Sequence, residues 1–156
     1  MPDIRAMILD RVETLLGEVN GVPQRVFRNR GQIKTDDRPC MVLLDGSETV
    51  HQSYEGRKGR EYAHSSPYVM ILRPQIFALL LQRKETEADG YAGELTAYRN
   101  AILRAVLQDG ELRDLAGPNG DIAYRGSTTD MESGRPMWGE LQMDFAFYYK
   151  LDPSNL

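Results

Sequence analysis

The stretch Trp138-Gly-Glu-Leu-Gln-Met-Asp-Phe-Ala-Phe-Tyr-Tyr-Lys-Leu151 has the clearest pattern in this chain. Apolar and polar residues alternate along it. The apolar set is Leu141, Met143, Phe145, Phe147, Tyr149 and Leu151, and the other set is Glu140, Gln142, Asp144, Ala146, Tyr148 and Lys150. Because successive side chains of a strand point to opposite faces, this alternation predicts a β-strand with one buried face. At about 3.3 Å per residue the strand spans roughly 45 Å, so it pairs with several partners or extends past the core.

The N-terminal segment predicts a helix followed by a strand. Apolar residues recur at helical spacing over residues 4–19, with Asp3 as N-cap and Asn20-Gly21 as the stop. Residues 22–29 suit a short strand, and the polar residues 30–38 are expected to form an exposed loop.

The next segment predicts a hairpin followed by a long polar loop. Residues 40–44 fit a buried strand, Asp45-Gly46 is a turn signal, and residues 48–54 fit the returning strand. Residues 55–66 have no apolar periodicity and carry several charges, so we expect a mobile loop. Long loops of this kind are usually functional or disordered.

Residues 67–81 are apolar and predict further β-structure. Residues 68–72 suit a strand. Pro74 cannot donate a backbone hydrogen bond, so the chain is expected to bend there or to lie on a sheet edge. Residues 76–81 fit either a strand or a helix, and we favour a strand.

The C-terminal half predicts a second helix and two strands. Residues 91–109 show helical spacing, with Gly110 as a C-cap and residues 111–115 as one further turn. Residues 122–125 fit a strand, and residues 126–137 are expected to form a second polar loop.

The predicted order is therefore α-β-β-β-β-α-β-β. Since most connections are hairpins, the pattern predicts an α+β fold, a mostly antiparallel sheet with two helices packed on one face and long mobile loops. We expect residues 1–156 to form a single domain, because a 17.7 kDa chain has the usual size for one. No apolar run reaches the ~18–20 residues that cross a membrane.

The net charge and the cysteine content of the chain argue against some functional classes and some cellular compartments. The chain carries 19 basic and 23 acidic residues, for a net charge of −4, which argues against a dedicated binder of duplex nucleic acid. Cys40 is the only cysteine, so a reducing compartment fits best. The N-terminus shows no basic start followed by an apolar segment, and we predict no secretory signal.

Patterns for metal binding and nucleophilic catalysis are weak. His51, His64 and Cys40 do not show ligand spacing, so we predict no metal site. Cys40 opens an apolar strand, which favours a packed small side chain over a reactive thiolate.

Acidic pairs and the glycine-rich loop also have simpler explanations. Asp36-Asp37 lies in the predicted loop, and Glu85, Glu87 and Asp89 precede a helix whose first turn favours negative charge. The loop at 56–60 lacks the spacing of a phosphate-binding motif. Three interpretations of this loop stay open: a solvated loop, a loop that orders against a protein partner, and a contact with phosphate or nucleic acid. We predict no catalytic residue and no cofactor.

Several segments in order resemble the tail terminator family (tail completion or minor tail proteins) of long-tailed bacteriophages. These segments are the opening helix at 4–19, the block 68–81 with its internal Arg73-Pro74-Gln75, and the ending 112–149, which includes Gly134-Arg135 and Trp138-Gly139-Glu140. The resemblance covers most of the chain.

This resemblance implies a structural protein without enzymatic activity. Its protomer would be an α/β sandwich, and six copies would form a ring that caps the tail tube, stops its polymerisation and joins the head. The implied partners are further copies of the chain, the tail tube protein and head–tail connector proteins, while DNA passes through the lumen without specific binding. The implied location is the head-proximal end of the tail, after assembly in the host cytoplasm, and family members can be monomeric in solution.

Polar loops supply the candidate interface residues: Arg57, Lys58, Arg60, Tyr62, Asp130 and Arg135. Because positive charge in the lumen would slow DNA, we expect the loop at 56–60 to face a neighbouring protomer or the tube. Three alternatives remain. They are a neck or head–tail joining protein, a small cytosolic enzyme whose site forms only in the fold, and a nucleic-acid-binding module that uses this loop with Tyr54 and Tyr62.

Overall fold

A computed structural model describes residues 3–51, 68–81, 89–117, 121–131 and 139–153. The helices are α1 (Ile4–Glu18), α2 (Asp89–Leu107) and α3 (Gly110–Leu115). The strands are β1 (Val26–Arg28), β2 (Cys40–Val50), β3 (Tyr68–Leu79), β4 (Ile122–Met131) and β5 (Gly139–Leu151). In the described part of the chain, no helix combines the length and apolarity that a membrane span requires.

The strands form one five-stranded sheet in the order β1-β2-β3-β5-β4. β1 pairs with β2 in parallel, and the other pairs are antiparallel. The predicted α+β class with a mostly antiparallel sheet is therefore confirmed. The alternating segment is β5, and it pairs with β3 along one edge and with β4 along the other.

The core lies between the helices and one face of the sheet. β5 contributes its three largest fully buried side chains, Phe145, Phe147 and Tyr149, as the alternation predicts. Helix α1 packs a stripe against them because its apolar residues recur at helical spacing. The buried residues of this helix are Ile8, Leu9, Val12, Leu15 and Leu16.

The opposite face of the sheet, which we call the helix-free face, carries a smaller apolar cluster at one end. Cys40, Val42 and Leu79 form its buried part. Ile33, from the segment that connects β1 and β2, packs against it together with Phe27. Strand register places Arg73, Gln75 and Asp144 on the same face, because side chains along each strand alternate between faces.

The predicted hairpin at Asp45-Gly46 is wrong, because β2 runs through these residues without reversing. A register shift between Leu44 and Ser47 takes up one extra residue of β2 as a bulge. Asn29 accepts a hydrogen bond from the Asp45 backbone N–H at 2.9 Å, and Arg28 binds the Asp45 carboxylate at 2.8 Å. The turn residues are thus held against β1 instead of closing a hairpin.

Of the two alternatives predicted for Pro74, a bend or a sheet edge, the edge is wrong, because β3 lies between β2 and β5 in the sheet interior. Pro74 is tolerated because it faces the β2 bulge, where the pairs on either side involve Arg73 and Gln75. The pairs with β5 likewise resume at Gln75 after Leu72. A residue without an N–H therefore sits where the sheet ladder is already interrupted. The strand favoured for 76–81 is confirmed through Leu79.

The polar loop predicted at 126–137 is partly wrong, because β4 continues to Met131. A second bulge, between Tyr124 and Gly126, interrupts its pairing with β5, and Gly126 has a φ of 122°. Because β4 pairs with the long strand β5, it extends further than the polar sequence of its second half predicts.

Helix ends also differ from the prediction. Helix α1 and its Asp3 cap are confirmed, with Asp3 accepting from the Arg5 N–H at 2.9 Å. Gly110 does not cap α2 but begins α3, since the Asp109 side chain accepts from the Leu112 N–H at 2.9 Å. An N-cap at this position starts a new helix where the sequence predicts the end of the previous one. The predicted loop at 30–38 contains one 3₁₀ turn, Thr35–Asp37.

Candidate functional site

Most residues predicted for the interface lie outside the described residues. These are Arg57, Lys58, Arg60, Tyr62 and Arg135. Asp130 lies near the end of β4, opposite Glu140 of β5 in the strand register. The role of this set in an interface stays a prediction.

Cys40 and His51 lie at opposite ends of β2 and cannot share a ligand. Their separation along the strand is roughly 35 Å at about 3.3 Å per residue. Cys40 is fully buried, and this burial raises the pKa of its thiol, so the side chain is an unreactive part of the apolar cluster. His51 packs edge-on against Tyr148 with ring centroids 5.4 Å apart. Within the described ranges, no group of three His, Cys, Asp or Glu residues is placed to hold a metal ion. His64 lies outside them.

Among the described acidic residues of the predicted pairs, Asp37 has a structural role. Asp37 binds two arginines, Arg30 at 3.4 Å and Arg25 at 3.6 Å, which ties the 3₁₀ turn to the residues on either side of β1. Asp89 begins α2. Glu85 and Glu87 lie outside the described residues.

Arg28 joins three elements on the helix side of the sheet. Its guanidinium binds Asp45 at 2.8 Å, Asp10 at 2.7 Å and Glu13 at 3.4 Å. Burial works against the charge of Asp45, but hydrogen bonds from Arg28 and Asn29 outweigh it and leave the pKa of this carboxyl below its ordinary value. These contacts anchor α1 to β1 and β2, which is a structural role.

A second arginine anchors α1 to the start of α3. Arg11 binds the Asp109 carboxylate through two nitrogens, at 2.7 and 3.0 Å, and Glu111 at 3.2 Å. The hydrogen bonds from Arg11 lower the pKa of Asp109, against the opposing effect of burial. The bidentate geometry fixes the position of the N-cap that begins α3.

The most distinctive chemistry lies in an open cleft on the helix-free face, which we call the arginine cleft. It has a volume of about 510 Å³ and spans β2, β3, β5 and β4. It lies where the two bulges and Pro74 interrupt regular pairing. Its lining is Gly46, Ser47, Arg73, Gln75, Arg125, Asp144 and Phe145.

The positive charge of the arginine cleft is only partly matched inside it. Arg73 donates to the Thr49 hydroxyl at 2.6 Å, and Arg125 is exposed at the β4 bulge. Asp144 accepts hydrogen bonds from the side-chain amides of Gln75 and Gln142, at 3.1 and 3.2 Å. Neither guanidinium forms a salt bridge with a described residue. Because guanidinium N–H groups match the oxygens of carboxylates and phosphates, the cleft can bind an oxyanion.

A smaller groove of about 230 Å³ lies at the other end of the same face. Its floor is apolar and includes Val42, Phe77 and Leu79, and its rim carries Arg30, Arg38 and Glu140. The described side chains that line this groove are suited to bind an apolar group on the floor and polar groups at the rim.

Sequence reasoning did not select Arg73 or Arg125 as site residues. Arg73 gave a signal, since it is a single charge inside the apolar block 68–81. Arg125 gave none, because it closes the predicted strand at 122–125 and is brought to the cleft only by the bulge that follows Tyr124.

Comparison with known proteins gives no match for this chain, either among protein-family models or among curated proteins. Function must therefore be inferred from the chain's own residues and from the resemblance that they carry.

Proposed function

We propose that this protein is a structural component of a bacteriophage tail that forms a ring on the end of the tail tube, stops tube polymerisation and offers the surface that joins the head. The observation that carries this proposal is the two-layer protomer, which presents helices on one side and a broad sheet face on the other. A ring of identical copies needs a heterologous interface, with two different patches on each copy.

The segments that carry the family resemblance supply the main elements of the protomer. The segment 4–19 contains α1, the block 68–81 contains β3, and the ending contains β5. β3 and β5 are neighbours in the interior of the sheet, and α1 packs on the same core. The resemblance therefore involves the elements that define the fold, which supports using it for function.

The proposed assembly is a ring of six copies at the head-proximal end of the tail, with free copies monomeric in solution. One side of the ring binds the tail tube protein, and the other side binds head–tail connector proteins. DNA passes through the lumen, and the net charge of −4 suits this passage because like charges do not adhere. Assembly takes place in the host cytoplasm.

Tube capping is the direct test of this proposal. Tubes polymerising from the cognate tail tube protein are mixed with the purified chain, and tube length and end structure are recorded by negative-stain electron microscopy. The expected result is a six-fold ring at one end and an arrest of elongation at that end. Unchanged elongation at saturating protein would contradict the proposal, and binding at the portal would assign the chain to the neck instead.

A charge variant provides the matched comparison in the same assay. Replacing Arg57, Lys58 and Arg60 together by Ala should weaken capping while leaving the circular dichroism spectrum and melting temperature unchanged. We expect this because the loop is assigned to a contact with a neighbour or with the tube. Full capping by the triple variant would show that these three charges do not face a partner.

A further inference from the structure

The turn that follows α1 carries an asparagine next to a glycine, Asn20-Gly21, at the protein surface. The residues on either side of this pair are fixed. Val19 packs against the core, and Val22 is buried. The side-chain amide of Gln24 donates to the carbonyl oxygens of both valines, at 3.2 and 3.3 Å. Asn20 and Gly21 are themselves exposed, so the pair projects from a turn whose two ends are anchored.

Neither of the two neighbouring polar groups in this pair is held by the rest of the fold. Among the residues that the structure describes, the Asn20 side chain and the Gly21 backbone N–H have no hydrogen-bond partner. Gly21 has a φ of 82°, and a Cβ built on it meets nothing within 4 Å. The space around the Gly21 nitrogen is therefore open.

An asparagine with a free amide beside an unhindered backbone nitrogen can react with its own chain. The side-chain carbonyl carbon and the nitrogen of the next residue are joined by the backbone, so the attack is intramolecular and needs no enzyme. Glycine favours the attack because it has no side chain to block the nitrogen and leaves the backbone free to rotate. A regular helix opposes it, because the same N–H is held in a hydrogen bond and the dihedral angles are fixed.

We propose that Asn20 is a site of spontaneous covalent modification, at which the folded protein converts this asparagine to aspartate and isoaspartate. The Gly21 nitrogen attacks Cγ of Asn20, and the new N–Cγ bond closes a cyclic imide. The bond from Cγ to Nδ2 breaks, and Nδ2 leaves as ammonia with the proton of the Gly21 N–H. Water then opens the imide at one of its two carbonyl groups. One opening gives aspartate, and the other gives isoaspartate, whose backbone runs through the former side chain.

The reaction changes the charge of the groove between α1 and α2. This groove has a volume of about 370 Å³, and Asn20, Glu18 and Arg104 are among the residues that line it. Each event replaces a neutral amide by a carboxylate in this lining and makes the net charge of −4 more negative by one. The chemistry goes beyond the proposed function and does not depend on it.

Asn100 is a matched control within the same molecule. It is exposed, as Asn20 is, but it lies inside α2 and precedes Ala101. Its side-chain oxygen accepts a hydrogen bond from Arg99 at 3.0 Å. Because the helix holds the N–H that would have to attack, Asn100 should stay intact while Asn20 reacts.

Peptide mass spectrometry of the folded protein, incubated at neutral pH and sampled over time, measures both sites. Trypsin separates them, since Asn20 falls in peptide 12–25 and Asn100 in peptide 100–104. Deamidation adds one mass unit, and isoaspartate and aspartate forms of a peptide are separated by chromatography. A synthetic peptide of residues 12–25 gives the rate of the same pair without the fold, and a sample taken at the start corrects for conversion during digestion.

We expect Asn20 in the folded protein to react within about tenfold of its rate in the synthetic peptide, with isoaspartate among the products and Asn100 unchanged. Gly21→Ala should react several times more slowly, because the added methyl group crowds the attacking nitrogen. A folded-state rate lower than this tenfold limit would overturn the proposal, as would equal rates for wild type and Gly21→Ala. Conversion to aspartate without isoaspartate would also overturn it, because direct hydrolysis of the amide gives aspartate alone.

Discussion

Replacing Gly46 by Ala should strongly destabilise the sheet, because this residue sits at the β2 bulge with no room for a side chain. A Cβ built on Gly46 lies 1.8 Å from the Arg73 carbonyl oxygen and 2.7 Å from its carbon. Both atoms belong to the backbone of β3, so neither can turn aside as a flexible side chain could. Gly46 also has a φ of 74°, which other residues adopt at a free-energy penalty.

The expected loss of unfolding free energy has two parts. The left-handed backbone conformation costs about 1–2 kcal/mol for a residue with a Cβ. Forcing β2 and β3 apart costs a further 1–3 kcal/mol or so, as overpacking does in other well-packed interiors. The total is a large share of the roughly 5–15 kcal/mol that stabilises a typical domain.

Gly21→Ala is the matched control, because Gly21 has a φ of 82° and a Cβ built on it meets nothing within 4 Å. It carries the conformational penalty without the clash, so it should lose only about 1–2 kcal/mol. Urea denaturation followed by circular dichroism gives both free energies, with an unchanged m-value as the check that the unfolding transition is comparable. Equal losses in the two variants would refute the assigned contact between Gly46 and Arg73.

Three further changes test the core and its anchors. Phe145→Ala should lose about 3–5 kcal/mol of unfolding free energy in urea denaturation, since the ring is fully buried, and a loss below about 1 kcal/mol would contradict the packing of β5. Tyr149→Phe should lose about 1.5 kcal/mol in the same assay, because the hydroxyl donates to the Glu48 carboxylate, and an unchanged value would show that this bond contributes nothing. Arg11→Gln should flatten the acid dependence of stability. Arg11 lowers the pKa of Asp109 below its ordinary value of 3.8, so the ionised carboxylate stabilises the folded state at pH values above 3.8. This stabilisation is lost as the pH falls toward the pKa that Asp109 has in the folded state. Denaturation midpoints between about pH 5 and pH 2 measure this slope, and an identical slope in wild type and variant would exclude the Arg11 contact as its source.

The local sequence pattern was sufficient to predict an element where its apolar residues follow a single helical or strand periodicity. The alternation in β5 predicts its buried face, and the helical spacing with the Asp3 cap predicts α1. Both succeed because the free energy of burying a strand face or a helix stripe depends on periodicities that the sequence carries by itself. The α+β class follows from the number and order of these elements.

Bulges were not predictable from the same patterns. Asp45-Gly46 has the sequence of a hairpin turn and Pro74 has that of an edge residue, yet the two lie opposite each other inside the sheet. Each makes the other tolerable. The extra β2 residue interrupts the ladder where Pro74 lacks an N–H, and Gly46 allows the close approach of the β3 backbone. The bulge and the proline are compatible only because the two segments pair with each other, and they lie far apart along the chain. The local sequence of either segment therefore does not predict the bulge.

By itself, the sequence determined the fold class, the helix α1 and the buried face of β5, because these follow from local periodicity and capping. Only the tertiary structure decided the long pairing of β4, the bulges and the arginine cleft. The cleft combines residues from four strands, and its charge imbalance depends on which carboxylates lie within hydrogen-bonding distance. Those distances are set by strand order and register, which arise from packing across the whole sheet.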